Sequence, residues 1–261
     1  MIKILLNTRE LQIPHNFVKL VKDSMIYDSS SSTAACVFFI EKDQGYFLKT
    51  APKGKLKREF EMTCFFHKKG LAPEVIDYQS LDRDWLLTQR VPGEGANQIE
   101  YLRQPKKLIN IVVEQLQKLH ELHFTEISAI NRTDSYIQTV ELNYQKGVFN
   151  PNFLSSRDLF KTSYDIFDYI QEIKPLLESD TLIHGDFCLP NVILNNWKFQ
   201  SMIDWDCSGM GDKHIDLFWL LWTFQHQLKT ATFKDYILDC YGREAIEMSI
   251  LEAIPYFEVF G

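Results

Sequence analysis

At 261 residues, 45% hydrophobic and 24% charged, the chain has an ordinary globular composition and is long enough for one large domain or two lobes. A net charge of −7 argues against nucleic acid or an anionic membrane as partner and suits a cationic one. Five widely spaced cysteines (Cys36, Cys64, Cys188, Cys207, Cys240) without Cys-x-x-Cys read as reduced thiols rather than a disulfide framework. Arg9 and Glu10 come too early for a signal peptide, and the longest apolar run, Leu217 to Phe224, is too short to span a bilayer. A cytoplasmic protein without membrane attachment is expected.

The first thirty residues are mixed and imply strands or a short helix only. Asp28 to Ala35 is a small-residue stretch, read by itself as a surface loop. It precedes Cys36–Glu41, a turn at Asp43-Gln44-Gly45 and Tyr46–Lys49, a β-hairpin. That placement offers a second reading, a loop covering phosphates through backbone N–H and hydroxyl groups. Leu56 to Lys69 has helical spacing, with Phe60, Cys64 and His67 on one side and Gly70 closing it. Glu59 falls in its first turns, ten positions after Lys49. Glu74–Tyr78 and Asp84–Val91 read as two more strands, completing a mostly antiparallel sheet of five strands with one helix.

Pro92-Gly93-Glu94-Gly95 stops the last strand, and the composition then turns helical. The expected division is therefore 1–91 for an N-terminal lobe and 92–261 for a larger C-terminal one. The Gly-x-Gly pairs at 93–95 and 209–211 lack the third glycine and the strand-to-helix context of a dinucleotide fingerprint, and no P-loop motif exists. Lys106–His123 is an amphipathic helix behind Pro105, on Leu108, Val112, Leu116, Leu119 and Leu122. His120 and His123 near its end read as packing or surface residues, since no further ligand spacing accompanies them. Helices are expected over Ser135–Tyr144, Ser163–Leu177, Ile215–Leu228, Phe233–Tyr241 and from Arg243 onward, with a loop at Gly147–Ser156.

The chemistry concentrates in Leu182–Asp206. Asp186, Asn191 and Asp204 lie on loops between apolar runs, the pattern of a kinase-type catalytic loop. A carboxylate at the loop apex can orient a hydroxyl and take its proton. Carboxylate and amide oxygens are the hard ligands Mg²⁺ prefers. Pro190 stiffens the loop, and His184 reads as a hydrogen-bonding support. Given these three residues, Lys49 on a strand and Glu59 on the following helix read as a phosphate-binding ion pair.

The motifs His184-Gly-Asp-Phe-Cys-Leu-Pro-Asn191, Ile203-Asp204, Gly211-Asp212 and Asp216-Leu217 together resemble the aminoglycoside phosphotransferase family. The Cys-Leu-Pro-Asn variant is closest to its 3′-phosphotransferases. The resemblance extends over most of the chain, through Trp85-Leu-Leu-Thr88, Val91-Pro-Gly93 and Leu119-His120. It implies an α+β, bilobal, protein-kinase-like fold, with a small antiparallel-sheet N-terminal lobe and a mainly helical C-terminal lobe. It implies transfer of the γ-phosphoryl group of ATP, with Mg²⁺, to a hydroxyl of an aminoglycoside antibiotic, a cationic small molecule that is thereby inactivated. By the same resemblance, Asp186 is the catalytic base, Asn191 and Asp204 hold the metal, and Lys49, held by Glu59, meets the α- and β-phosphates. Thr33 and Ala34 cover the β-phosphate, Phe47 and Ile203 enclose adenine, and the backbone of Gln89 and Val91 pairs with its edge.

Two departures bear on the acceptor. Cys207 stands where the 3′-enzymes carry an arginine, and the 147–156 loop offers Asn150 and Asn152 but no carboxylate. Glu258 is read either as an ammonium partner or as an exposed charge at a helix end. Other acceptors (amino alcohol, sugar, macrolide) and a non-catalytic nucleotide-binding module stay as alternatives. Thr88 leaves GTP open beside ATP, and monomer and homodimer are equally compatible with the sequence.

Overall fold

The computed structural model describes residues 4–5, 13–22, 24–30, 35–122, 131–155, 158 and 161–261. The chain divides into two compact units. The first comprises Met1–Gly93 with Ile193–Asn195 and Gln200–Asp206; the second comprises Glu94–Val192, Asn196–Phe199 and Cys207–Gly261. The fold is α+β and protein-kinase-like, with an antiparallel-sheet N-terminal part and a mainly helical C-terminal part.

The first unit begins with β1 (Ile4–Leu5), α1 (His15–Val21), β2 (Met25–Asp28), β3 (Cys36–Glu41) and β4 (Tyr46–Pro52). It continues through α2 (Lys57–Lys68), β5 (Val75–Ser80) and β6 (Arg83–Gln89). The sheet has six strands in the order β1-β2-β3-β4-β6-β5, every pair antiparallel. It exceeds the expected five strands and one helix because β1 and α1 are too short to show a period in the mixed N-terminal sequence. The β3–β4 turn needs left-handed backbone at Asp43 (φ 51) and Gly45 (φ 93), which Asp and Gly tolerate best.

Period-two alternation sends Leu48 into one core with Phe17, Ile26, Phe38, Ile40, Trp85 and Leu87. It places Phe47, Lys49 and Ala51 on the opposite face, where Ala51, Leu56 and Leu86 form a second cluster. Helix α2 is rotated from its expected orientation. Glu59, Met62, Thr63, Phe65 and Phe66 are buried, whereas His67 is exposed. Phe60 stacks on Tyr78 at 4.5 Å, and Trp205, far away in sequence, stacks on Phe66 at 3.8 Å. The helix is apolar on more than one side, so distant partners choose the face.

The second unit opens with β7 (Glu94–Gly95), α3 (Ile99–Leu102) and α4 (Pro105–His120). Helix α4 stops three residues before the expected His123, which lies outside the described residues. Then come α5 (Arg132–Gln145), a 3₁₀ turn Pro151–Phe153, α6 (Ser163–Ile173) and β8 (Thr181–Ile183). A Thr162–Asp165 capping box starts α6. Strands β9 (Val192–Asn195) and β10 (Lys198–Met202) follow, joined by Asn196 and Trp197 with φ of 50 and 65; the unit division runs through them. Strand β11 (Gly209–Gly211) pairs antiparallel with β8, Gly209 opposite Ile183 and Gly211 opposite Thr181. The second Gly-x-Gly is thus part of a strand. A Cβ at Gly211 would collide with the Ile183 side chain.

Helices α7 (Lys213–Leu228), α8 (Lys234–Tyr241) and α9 (Met248–Glu258) complete the unit. The single helix expected from Arg243 is a 3₁₀ turn, Arg243–Ala245, followed by α9. Asp212 caps α7, accepting the His214 N–H at 2.9 Å and the Glu178 N–H at 2.9 Å. None of the five cysteines is joined in a disulfide. Among the described residues, no helix is long and apolar enough to cross a membrane.

Candidate active site

In the first unit, Lys49 sits mid-strand on the face shared with Leu86. Its Nζ lies 2.7 Å from Glu59 Oε2 and 2.9 Å from Asp204 Oδ1. Each carboxylate is placed by a separate local device. Asp84, buried on β6, accepts the Leu56 N–H at 2.9 Å and the Ser80 hydroxyl at 2.7 Å, anchoring the entrance of α2. Glu59 therefore falls in the first helical turn, pointing back at β4. Asp204 follows β10 with φ 66, a conformation costly for a non-glycine residue. Its neighbour Trp205 is fully buried, stacks on Phe66 and donates its indole N–H to Met202 O at 3.0 Å. The Met202 N–H in turn donates to Leu71 O at 2.7 Å.

Burial works against charge on Lys49, but the carboxylates of Glu59 and Asp204 outweigh it and hold its pKa above the ordinary lysine value. The Glu59 carboxyl is pushed up by burial, while Lys49 pulls it down. With an ammonium at 2.7 Å, the pair is an ion pair. Phe47 lies beside Phe39 with ring centroids 5.3 Å apart. Gln89 uses its backbone N–H on Glu74 O at 2.9 Å. Val91 and Ile203 are half-buried. Thr33 and Ala34 lie outside the described residues.

In the second unit, β8 delivers the chain into His184-Gly185-Asp186. Gly185 has φ 83, and a Cβ there would collide with the Cys207 carbonyl, so only glycine fits. The loop hangs from Asp216, which is fully buried in the first turn of α7. Its Oδ2 accepts the His184 N–H at 2.8 Å and its Oδ1 the Gly185 N–H at 2.7 Å. His120 Nε2 lies 3.1 Å from Oδ2, and His120 Nδ1 lies 2.7 Å from the Tyr241 hydroxyl. The Tyr241 hydroxyl and the Asp216 carboxylate thus engage both ring nitrogens of His120. Burial first, then Asp216, raises the Tyr241 pKa, so the hydroxyl keeps its proton.

The Asp186 N–H donates to His184 Nδ1 at 3.3 Å, giving His184 the supporting role expected of it. Asn191 Nδ2 donates to both the backbone O and Oδ2 of Asp186, at 3.0 Å each, across a 3₁₀ turn containing Pro190. The half-buried Asp186 carboxylate is thereby oriented by the amide five positions on. The Leu189 N–H reaches Thr223 Oγ1 of α7 at 3.3 Å. Burial, reinforced by Asp186, pushes up the Cys188 thiol, which stays neutral.

Glu258 is not an exposed helix end. It is 5% exposed and accepts the Tyr136 hydroxyl at 2.7 Å. Burial, with the nearby Asp186 charge adding to it, pushes its carboxyl up to about 7, against hydrogen bonds from Tyr136 and Trp219 and the pull of Arg132.

The structure thus gathers Lys49, Glu59 and Asp204 in the first unit, and Asp186 and Asn191 in the second. The sequence alone assigns no role to Asp84, Tyr241 or the Asp216 carboxylate, and His120 reads there as a packing or surface residue. Only Asp216 and His120 left a signal, through the Asp216-Leu217 and Leu119-His120 pairs.

Residues 29–246 match the phosphotransferase enzyme family APH. The chain is 42% identical over 261 residues to a probable aminoglycoside 3′-phosphotransferase of Lactococcus lactis, covering 98% of this chain and 99% of that one. Among solved structures it resembles an aminoglycoside 3′-phosphotransferase of type VIII at TM-score 0.74 and 21% identity, over 90% of this chain and 91% of the other. It also resembles aminoglycoside phosphotransferase APH(3″)-Id from Streptomyces rimosus, in complex with ADP and streptomycin. There the TM-score is 0.72 at 19% identity, covering 88% of this chain and 91% of the other.

Proposed function

Because the chain belongs to the APH phosphotransferase enzyme family, we propose that it moves the γ-phosphoryl group of ATP to a hydroxyl of an aminoglycoside, inactivating the antibiotic. The observation that carries the acceptor class is the 42% identity, along essentially the whole chain, to a probable aminoglycoside 3′-phosphotransferase. We assign residues 1–91 to nucleotide binding and 92–261 to catalysis and acceptor binding. The working location is the cytoplasm, where ATP and reduced thiols coexist.

In this reading Asp186, aimed by Asn191, receives the acceptor hydroxyl and takes its proton as the new P–O bond forms and the bond to ADP breaks. Lys49 meets the α- and β-phosphates with its ammonium, held by Glu59. Thr33 and Ala34 cover the β-phosphate. Phe47 and Ile203 enclose adenine, and the backbone of Gln89 and Val91 meets its edge. Glu258 serves an acceptor ammonium.

Asp204 and Asn191 are the proposed Mg²⁺ ligands. The donor chemistry fits: Asp204 presents a solvent-reached carboxylate, and Asn191, with Nδ2 committed to Asp186, offers its amide oxygen. When bound, Mg²⁺ neutralises phosphate charge.

The test is ADP release from Mg-ATP with kanamycin, neomycin, an amino alcohol and a macrolide. Drug-dependent turnover is expected for the first two, and Asp186→Asn lowers kcat by about 10²–10⁴-fold. Turnover of another acceptor alone would replace the aminoglycoside assignment.

A further inference from the structure

The sequence leaves a gap at the acceptor: the 147–156 loop carries no carboxylate for a polycation. The loop is nevertheless built into the second unit, with the Asn150 N–H donating to Val259 O at 2.7 Å, one residue beyond Glu258. What it presents there is Phe153. That ring lies 5.7 Å from Trp219 at 86° and 6.0 Å from Trp222. Trp219 and Trp222 are themselves 5.4 Å apart at 78°, and His226 stacks on Trp222 at 4.8 Å and 13°. Edge-to-face and offset contacts at these distances hold rings in fixed orientations.

Two links relate this cluster to the Asp186 loop. Trp219 is one of the polar neighbours that lower the Glu258 pKa, which burial and the Asp186 charge raise. Thr223, next to Trp222 on α7, accepts the Leu189 N–H of the loop. The next described carboxylate along the chain, Asp158, is already taken by Ser155 and Lys161. Phe153, Trp219 and Trp222 are all half-buried, none of them sealed in the core.

We propose that Phe153, Trp219 and Trp222 form an aromatic wall that selects the acceptor, seating the C–H face of an amino-sugar ring and attracting its ammonium to the π-faces. The inference rests on the phosphotransferase reading above and names what its acceptor site recognises. An ammonium over an indole face is attracted by the ring quadrupole without needing a carboxylate. Such a wall favours an acceptor that sets a C–H ring face and an ammonium against the aromatic rings together over a flexible chain amine.

The experiment combines kinetics with kanamycin and tryptophan fluorescence, since two of the five tryptophans lie in the wall. Trp222→Leu and Phe153→Leu are expected to raise the kanamycin KM about tenfold, with kcat and the ATP KM changing less than about twofold. Trp222→Phe, which keeps a π-face and guards against misfolding of the leucine variant, is expected to restore most of the affinity. Kanamycin should quench wild-type emission saturably, and less so in Trp222→Phe.

Unchanged kanamycin KM in both leucine variants overturns the wall. If kanamycin is not turned over but another amine of the panel is, with its KM raised by the same variants, the wall stands and the aminoglycoside reading falls. Absence of saturable quenching by any amine of the panel overturns the wall even without turnover.

Discussion

The Lys49 side chain is 19% exposed and its ammonium faces two carboxylates, one of them on a side chain only 8% exposed. Removing the cation strands Glu59 in a buried site. Lys49→Met is therefore expected to cost on the order of 3 kcal/mol in urea unfolding. Adding Glu59→Leu should return most of that stability while leaving phosphoryl transfer abolished, separating the structural role of the pair from its chemical one. Glu258 supports a second prediction. Its folded pKa of about 7 lies above the reference value of 4.5. The folded state therefore binds this proton more tightly than the unfolded chain does. The resulting stability is complete below pH 4.5 and is lost as pH rises through 7. Thermal unfolding from pH 4.5 to 8 should show that loss, up to about 2–3 kcal/mol. Glu258→Gln should flatten the profile and make the variant the more stable protein at pH 8.

At the scale of elements, the loop from His184 to Asn191 is held less by its own sequence than by α7 and α4. Asp216 satisfies two buried N–H groups and one imidazole. Asp216→Ala leaves them unpaired, and each orphaned group costs about 1–3 kcal/mol. The milder Tyr241→Phe removes only the hydroxyl that fixes His120. It should lower stability by about 1 kcal/mol and reduce kcat while leaving the ATP KM unchanged, since the loop loses definition and the nucleotide residues do not. An unchanged kcat would limit Tyr241 to packing. The helices and strands were largely legible because apolar periods and turn residues are local signals. The rotation of α2 was not, because Trp205 decides which face is buried.

At the scale of the whole molecule, a ligand that binds only the folded state stabilises it by mass action. Mg-ATP at about 100 times its Kd should add about 2.7 kcal/mol, read as a rise in Tm by calorimetry. Chelating the metal with EDTA should remove most of that rise if Asn191 and Asp204 act through it. The sequence by itself determined the α+β class and the run of helices after Gly95, and it picked out Asp186, Asn191, Asp204, Lys49 and Glu59 as the residues to look for. These are readable because periodicity, turn chemistry and catalytic spacing all reside in short windows. Only the tertiary structure decided that Asp204 meets Lys49 across 155 positions, that Glu258 is buried against Tyr136 and that Phe153 packs against Trp219 and Trp222. Each of those is set by packing between residues distant in sequence, where burial and the choice of partner belong to no single stretch of chain.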